Sequence, residues 1–312
     1  MHAARLTYAR ARSEHVVVVG VDIGGSGLRA AAFSGGKVTD VLEDVGAPQT
    51  VKTLVERVSR LVARLGSCAL VGVGVPGFVR DGYVLGSPNL PFLSGVDLCG
   101  RLRERLGVPV ALLNDANAAA YGAWVASEDR SDLLVLTLGT GVGGGIILGG
   151  RPFQGASGTG AELGHIHIGG DIPCGCGAVG CLETWVGTAG LRRQAERLGH
   201  SIDNVLELVQ RADGGEVWAQ HLLLGASRAL GQGLRTLLNT LGVQRVLITG
   251  GVAGAEAWLR PGAEQVLARY GIPSNTEFVR MEWRASAASW AIAGAAAHAQ
   301  TVAYDPTTSS SG

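Results

Sequence analysis

The stretch VVVVGVDIGGSGLRAAAF, residues 16–33, decides the fold that we expect of this chain. Apolar residues flank the segment DIGGSG on both sides, and no helical spacing of apolar residues follows it. The pattern therefore predicts two strands joined by a glycine turn, and not a strand that enters a helix.

Two later segments place glycine turns after apolar strands in a similar way. Residues 133–148 read as a strand, the turn GTGVGGG and a second strand, and residues 245–251 read as a strand that ends in Gly250-Gly251. Glycine brings backbone N–H groups close to an anion because no Cβ blocks the approach. We therefore expect these turns to bind phosphate groups, and the two hairpins suggest an internal duplication.

Two other nucleotide-binding folds are disfavoured. GVGVPG at residues 72–77 and GTGVGG at residues 139–144 fit the pattern GxGxxG of dinucleotide-binding enzymes. That fold needs a helix directly after the glycines, whereas strand-like residues follow both segments. A P-loop is excluded as well, because Val38 follows Gly36-Lys37 where the motif needs Ser or Thr.

Length and charge narrow the class of protein. The 312 residues are enough for two domains, and Lys plus Arg equal Asp plus Glu at 26 each. No basic cluster lies beside aromatic residues, so a nucleic-acid partner is not expected. The apolar run after residues 1–15 stops at Asp22, too early for a signal peptide, and no stretch approaches the roughly 18 apolar residues of a membrane-spanning helix. We expect a cytoplasmic protein with no membrane partner.

Apolar spacing and turn residues predict the remaining elements. Asn114 and Asp115 stand where a predicted strand ends and a helix begins, which is the end of a strand at which α/β sheets bind ligands. Taken alone, such a pair is most often a helix cap. The predicted helices cover residues 50–65, 98–106, 117–126, 188–199, 202–212, 215–241 and 285–299, and the predicted strands cover residues 69–75 and 109–113.

Three of the five cysteines lie close together in GAELGHIHIGGDIPCGCGAVGCLE, residues 160–183. With one histidine, either His165 or His167, they form a complete tetrahedral set for structural zinc, which leaves no open position for a catalytic water. An odd number of cysteines in a chain of this length does not favour a disulfide framework. The alternative to a zinc site is a group of reduced cysteines without a ligand.

On these segments the chain resembles the ROK family of sugar kinases and related repressors, in the actin-like ATPase superfamily. VDIGGSGLRAA resembles the first phosphate loop of the family, LTLGTGVGGGI its second, LITGGVAG its adenosine-side turn and CGCGAVGCLE its zinc motif. The resemblance implies a two-lobed α/β fold, ribonuclease H-like, with the active site in the interlobe cleft. We place the small N-terminal lobe at residues 16–115 after an extension at 1–15, the large lobe at 116–284, a helix that returns to the N-terminal lobe at 285–300, and a disordered tail at 301–312.

The resemblance also implies the roles of individual residues. Asp115 would be the general base for a sugar hydroxyl, Asp22 would lie near magnesium, and His165 rather than His167 would be the fourth zinc ligand. The sugar would contact Asn89, Asn114, Asp115, Glu162, His165 and Glu183. The nucleotide would contact Asp22, Gly24, Gly25, Ser26, Gly139, Thr140, Gly141, Gly143, Gly250 and Gly251. The structural zinc would bind His165, Cys174, Cys176 and Cys181.

The implied activity is ATP-dependent phosphorylation of a hexose at the 6-hydroxyl, with glucose as the first expectation and with magnesium. N-acetylglucosamine or N-acetylmannosamine are the alternative substrates. The family usually has Thr and Lys where this chain has Ser26 and Gly27, and a GGSG turn also occurs in its polyphosphate-using glucokinases, so polyphosphate is an alternative donor. Arg29 would replace the missing lysine only if strand alternation places its side chain on the right face.

The family resemblance implies a homodimer or a homotetramer. A non-catalytic sugar sensor is the alternative from another class of protein. The repressors of the family carry a winged helix ahead of the kinase-like part, and the 15 residues before Val16 are too few for such a domain, so DNA binding is not expected.

Overall fold

The computed structural model describes residues 16–35, 37–284 and 289–304. The predicted extension at 1–15 and the tail beyond residue 304 lie outside the described residues, as do residues 285–288, the first part of the predicted last helix. The described chain divides into two compact units. The first contains residues 16–130, 151–160 and 289–304, and the second contains residues 131–150 and 161–284.

The strands and helices are numbered in chain order. The strands are β1 Val18–Gly24, β2 Gly27–Ser34, β3 Lys37–Val45, β4 Leu70–Val75, β5 Phe78–Arg80, β6 Tyr83–Gly86, β7 Val96–Asp97, β8 Val110–Asn114, β9 Leu133–Leu138, β10 Val142–Leu148, β11 Arg151–Pro152, β12 Arg245–Thr249 and β13 Arg280–Trp283. The α-helices are α1 Val51–Leu65, α2 Leu98–Leu106, α3 Asp115–Ala126, α4 Glu183–Val186, α5 Thr188–Arg197, α6 Val205–Asp213, α7 Val217–Leu241, α8 Glu256–Tyr270, α9 Pro273–Thr276 and α10 Ser289–Tyr304. Short 3₁₀ helices cover Pro91–Leu93, Leu163–His165 and Gly251–Ala255.

The sheet of the first unit has the strand order β3-β2-β1-β4-β8. The predicted hairpin is present: β1 and β2 pair antiparallel around the turn at Gly25-Ser26. Strand β4 then pairs in parallel with β1 on one side and with β8 on the other, with Gly74 opposite both Asp22 and Leu113. Because parallel strands end at the same edge of a sheet, Asp22 and the Asn114-Asp115 pair lie at one edge.

The central strands of this sheet, β1 and β4, are almost entirely buried. All residues of β4 are buried, and in β1 the first six residues are buried, which is typical of parallel strands covered on both faces. On one face lies helix α1, which buries Leu54, Val58 and Leu61 at helical spacing and begins with a capping box between Thr50 and Thr53.

Helix α10 lies directly against β1, β4 and α3. A Cβ at Gly72 of β4 would lie 1.8 Å from the Ala295 carbonyl oxygen, and a Cβ at Gly294 of α10 would lie 1.8 Å from the Ala118 carbonyl oxygen. Glycine at these two positions is therefore required for the backbones to approach so closely. The last helix thus packs against β1, which carries Asp22, and against β8, which ends directly before Asp115.

The second unit repeats the arrangement of the first. Strands β9 and β10 form an antiparallel hairpin, β12 pairs in parallel with β9, and β13 pairs in parallel with β12. The 25-residue helix α7 contributes a buried row to the core of this unit and ends at Gly242, whose left-handed backbone (φ 67°) caps it. The internal duplication expected from the two hairpins therefore extends to a parallel third strand.

Several elements differ from the sequence expectation. Helix α8 contains Pro261 in its interior, and proline usually ends a helix, so the pattern gave no helix there. Helix α10 continues to Tyr304, so residues 301–304 of the expected disordered tail are helical, and the Thr301 hydroxyl lies 3.0 Å from the Tyr121 hydroxyl of α3. The first unit extends beyond residue 115 because α3 packs on α10.

Among the described residues, no helix combines the length and the hydrophobicity needed to cross a membrane.

We predict that Gly72→Ala destabilises the first unit, because the added methyl group would collide with the α10 backbone at Ala295. Overpacking of this kind costs about 1–3 kcal/mol or more, so the urea midpoint of unfolding followed by circular dichroism should fall clearly. Gly86→Ala is the matched control, since a Cβ there would lie at an ordinary 3.6 Å from the Phe78 ring. Equal midpoints for the two variants would contradict the close packing of α10.

Candidate active site and metal centre

The first glycine turn, Gly24–Gly27, joins β1 to β2 beside the buried carboxylate of Asp22. Asp22 and Arg29 are direct cross-strand partners, so their side chains share one face of the hairpin. Arg29 Nη2 donates to Asp22 Oδ2 at 2.9 Å, while the Arg29 side chain stays 37% exposed. Burial raises the pKa of Asp22, and the Arg29 charge opposes that rise. Strand alternation thus places Arg29 on the same face as Asp22.

Position 27 is closed to any side chain by strand β3. A Cβ at Gly27 would lie 2.6 Å from the Asp44 carbonyl oxygen, and the Gly46 N–H donates to the Ser26 carbonyl at 2.8 Å. The lysine that the family resemblance would place at position 27 therefore has no room here. One cation beside this turn is instead the Arg29 guanidinium, which pairs with Asp22.

Asn114 and Asp115 form the start of helix α3. Asn114 is the N-cap, and its Oδ1 accepts from the Asn117 N–H at 3.0 Å. Its Nδ2 donates to the Gly77 carbonyl at 3.0 Å and to Asp115 Oδ1 at 3.1 Å, so both amide hydrogens have partners. Asp115 Oδ1 also accepts from the Ala116 N–H at 2.9 Å. Asn114 thus has the capping role considered from sequence, and its amide also orients the half-buried Asp115 carboxylate.

The loop that contains Asn89 lies next to the same sheet edge. Asn89 itself is exposed, but Ser87 Oγ donates to the Pro76 carbonyl, and the Gly77 backbone packs against Gly86 and Ser87. The first unit therefore brings together Asp22, the first glycine turn, Asn114 and Asp115 with the Asn89 loop close by.

The second and third glycine turns lie together in the second unit. The second glycine turn, Gly139–Gly143, joins β9 to β10, and the third, Gly250-Gly251, follows β12. Gly250 has φ 96°, and a Cβ there would lie 2.3 Å from the Leu138 carbonyl oxygen. Since β12 and β9 are parallel neighbours, their carboxyl ends bring the two turns side by side. Two sets of backbone amides predicted to bind a nucleotide thus lie at one edge of this sheet.

Three polar residues predicted to contact a sugar cluster near the second glycine turn. His165 Nε2 lies 3.8 Å from Glu162 Oε2, and Glu183 Oε2 accepts from the Val142 N–H at 3.0 Å. Burial raises the pKa of Glu162, the His165 charge lowers it, and the Glu183 charge raises it. Ala161, directly before Glu162, has the left-handed φ of 68°, which is unfavourable for a residue with a Cβ and is typical of strain stored at functional sites.

The four predicted zinc ligands also form one cluster. One ligand atom each from His165, Cys174, Cys176 and Cys181 lies within 4.8 Å of the others. Cys176 Sγ is 3.7 Å from Cys181 Sγ, and tetrahedral zinc with Zn–S bonds of about 2.3 Å places two sulfurs about 3.8 Å apart.

The cluster distinguishes between the two candidate histidines. Cys174 Sγ is 3.4 Å from His165 Nδ1, whereas His167 Nδ1 is 3.0 Å from the Val179 carbonyl oxygen. The donor set therefore fits zinc with His165 as the histidine. Its Nε2 is the nitrogen that faces Glu162, so a metal on Nδ1 would fix the tautomer presented to that carboxylate.

Two features of the site were not predicted from the sequence. The register of the first hairpin pairs Asp22 with Arg29. It follows from the two-residue turn at Gly25-Ser26, so the sequence contained the signal that could have predicted this pair. The bond from Val142 to Glu183 joins residues 41 positions apart, and no local pattern signals it.

Comparisons with known proteins identify the family of the chain. The sequence profile of the ROK family matches residues 18–302. The glucokinase of Halalkalibacterium halodurans is 31% identical over 285 residues, which cover 82% of this chain and 86% of that protein. The N-acetylmannosamine kinase of Shigella flexneri is 33% identical over 251 residues, covering 78% of this chain and 86% of that protein.

A solved structure extends the likeness to the fold. The crystal structure of a ROK family glucokinase from Streptomyces griseus, in complex with glucose and AMPPNP, superposes with a TM-score of 0.70. The two proteins are 28% identical, and the match covers 91% of this chain and 99% of that one. The fold of the chain is thus the actin-like ATPase fold that the family resemblance implies.

We predict that the purified protein carries about one zinc ion per chain, because the four ligand atoms lie within 4.8 Å of one another and form a complete donor set for tetrahedral zinc. Elemental analysis should find that zinc in the wild type and lose it in Cys181→Ser. Cys68→Ser is the control, since Cys68 lies outside the cluster. A wild-type protein without zinc after purification free of chelators would overturn the assignment.

Proposed function

The chain belongs to the ROK family, and on that premise we propose that it is a sugar kinase that transfers the γ-phosphate of ATP to the 6-hydroxyl of a hexose, with glucose as the first candidate. The observation that carries the proposal is the Asp115 carboxylate at the start of α3, oriented by Asn114 at the edge where β1, β4 and β8 end. Phosphoryl transfer depends mainly on positioning and on charge stabilisation, and an oriented carboxylate fits that requirement.

In the proposed reaction Asp115 accepts the proton of the attacking hydroxyl. One of its oxygens is already bound by the Asn114 amide and the Ala116 N–H, which fixes the orientation of the carboxylate. The proton leaves the hydroxyl as the oxygen attacks the γ-phosphorus, and the bond to the leaving ADP oxygen breaks. Because both hydrogens of the Asn114 amide are engaged within the protein, Asn114 offers a sugar only its oxygen.

The glycine turns are the proposed donor site. Backbone N–H groups of the second glycine turn would hold phosphate oxygens, and the third would flank the nucleotide. Magnesium, when bound, supplies charge that offsets the negative phosphates, and the buried Asp22 carboxylate fits a role in holding it or its water ligands. Arg29 beside Asp22 adds a guanidinium, a group suited to phosphate recognition. Polyphosphate is the second candidate donor, because the same hairpin lacks the lysine at position 27.

The preferred sugar is the finer part of the proposal. Relatives at similar identity include a glucokinase and an N-acetylmannosamine kinase, so N-acetylmannosamine is the second candidate and N-acetylglucosamine the third. The proposed hydroxyl contacts are Asn89, Asn114, Glu162, His165 and Glu183. A structural zinc ion at His165 and the three cysteines would order the loop that carries these groups.

We predict that the protein with ATP and magnesium phosphorylates at least one sugar of a panel of glucose, mannose, N-acetylglucosamine and N-acetylmannosamine. Asp115→Asn should lower kcat by about 10²- to 10⁴-fold, the usual contribution of a general base, while calorimetry shows sugar binding close to wild type. Turnover is measured by coupled ADP release.

The outcomes of that panel separate the competing functions. Turnover with polyphosphate and not with ATP would replace the donor, and sugar binding without turnover on either donor would make the protein a sensor. Loss of both turnover and sugar binding in Asp115→Asn would give Asp115 a structural role instead of a catalytic one.

We predict that Arg29→Ala lowers kcat/KM for the phosphate donor about 10- to 100-fold, because a hydrogen bond between charged groups contributes about 1.5–3 kcal/mol. The KM for the sugar should change little, and Arg29→Lys should recover part of the loss since it keeps the cation. Arg101→Ala, which changes an exposed arginine of α2, is the control. Donor kinetics equal to wild type with both ATP and polyphosphate would exclude a donor role for Arg29.

A further inference from the structure

The segment Cys181–Ala189 connects the metal centre to the second glycine turn. It begins at the last cysteine of the cluster, includes Glu183 two residues later, and runs through α4 into the first turn of α5. The Thr188 N–H donates to the Gly139 carbonyl and the Ala189 N–H to the Thr140 carbonyl, each at 2.9 Å. The second glycine turn is therefore bound along its length by one short segment that starts at a metal ligand.

The Glu183 side chain adds a third hydrogen bond to these two backbone bonds. Its Oε2 accepts from the Val142 N–H at 3.0 Å, and a Cβ built on Gly141 would lie only 2.1 Å from the same oxygen. The carboxylate thus occupies the space that a side chain at position 141 would need. Val142 is 6% exposed, so its amide would lose a partner in a largely dry place if the carboxylate moved away.

The second oxygen of the Glu183 carboxylate faces the predicted zinc ligands. Oε1 lies 3.5 Å from Cys174 Sγ, and the preceding residue, Leu182, donates its N–H to the Ile166 carbonyl next to His165. The Thr184 hydroxyl donates to the Cys181 carbonyl at 2.8 Å. The position of Glu183 is therefore set by the two loops that carry the four candidate zinc ligands.

From these contacts we propose that Glu183 is a positioning residue that couples the metal centre to the second glycine turn. A metal ion bound at His165, Cys174, Cys176 and Cys181 fixes the start of the segment, and Glu183 then holds the Val142 amide and with it the backbone of the turn. That the turn receives donor phosphate rests on the proposed function, whereas the coupling rests on the contacts alone. The role is additional to any contact of Glu183 with a sugar.

Hydrogen–deuterium exchange of peptides that cover residues 139–143 tests the coupling without turnover. Glu183→Ala should raise exchange in this turn by about tenfold or more, since a charged hydrogen bond to a buried amide is lost. Glu183→Gln should return exchange close to wild type, because its amide oxygen can accept from Val142. Glu162→Gln is the matched control: it removes a neighbouring carboxylate charge that faces His165, and it should leave the turn protected.

Metal removal provides the second arm of the test. Wild-type protein treated with 1,10-phenanthroline should show faster exchange in residues 139–143 as well as in residues 174–181, and added zinc chloride should reverse both changes. Unchanged exchange in the turn after chelation, while residues 174–181 become exposed, would overturn the coupling even if Glu183→Ala does not fold. Faster exchange in a protein that phosphorylates no sugar would leave the coupling intact and overturn only the proposed function.

Discussion

The parallel pairing of β1, β4 and β8 is the constraint on which the first unit depends. It brings the carboxyl ends of three buried strands to one edge, so that Asp22 and Asp115 lie on the same side of the sheet although 93 positions separate them in the sequence. Helix α10 packs against these strands and stabilises their pairing. Its backbone lies so close to Gly72 that no side chain fits between them. A helix of small apolar residues near the end of the chain thus keeps the candidate base and the first glycine turn in register.

The two units support their glycine turns in different ways. Each places a glycine turn between antiparallel strands, and an exposed turn of this kind needs support to keep its amides aligned. In the first unit the support comes from the backbone of the neighbouring strand, since Gly46 donates to Ser26 and β3 closes position 27. In the second unit it comes from Glu183 and the amides of Thr188 and Ala189. The two glycine turns therefore have different supports: one is fixed by the edge strand of its sheet, and the other by a segment that starts at the predicted zinc ligands.

The sequence predicted the hairpins and the central strands because buried strands read as continuous apolar runs. It also predicted which residues would cluster around Cys174, because the ligands are close in the chain. It failed at α8, where Pro261 argues against a helix, and at the contact between Val142 and Glu183, since only tertiary packing brings them together. The roles assigned to the site residues, and the homodimer or homotetramer, stay predictions.

The closure of position 27 has a consequence for how such a hairpin can evolve. A lysine at this position requires that β3 first move away from the turn, because the Asp44 carbonyl already occupies the space of its Cβ. A change from glycine to lysine at this position therefore needs a backbone shift in β3 as well as the substitution itself. The reverse change, from lysine to glycine, removes a side chain and needs no added space. The close approach of β3 thus makes the two directions of substitution at position 27 unequal.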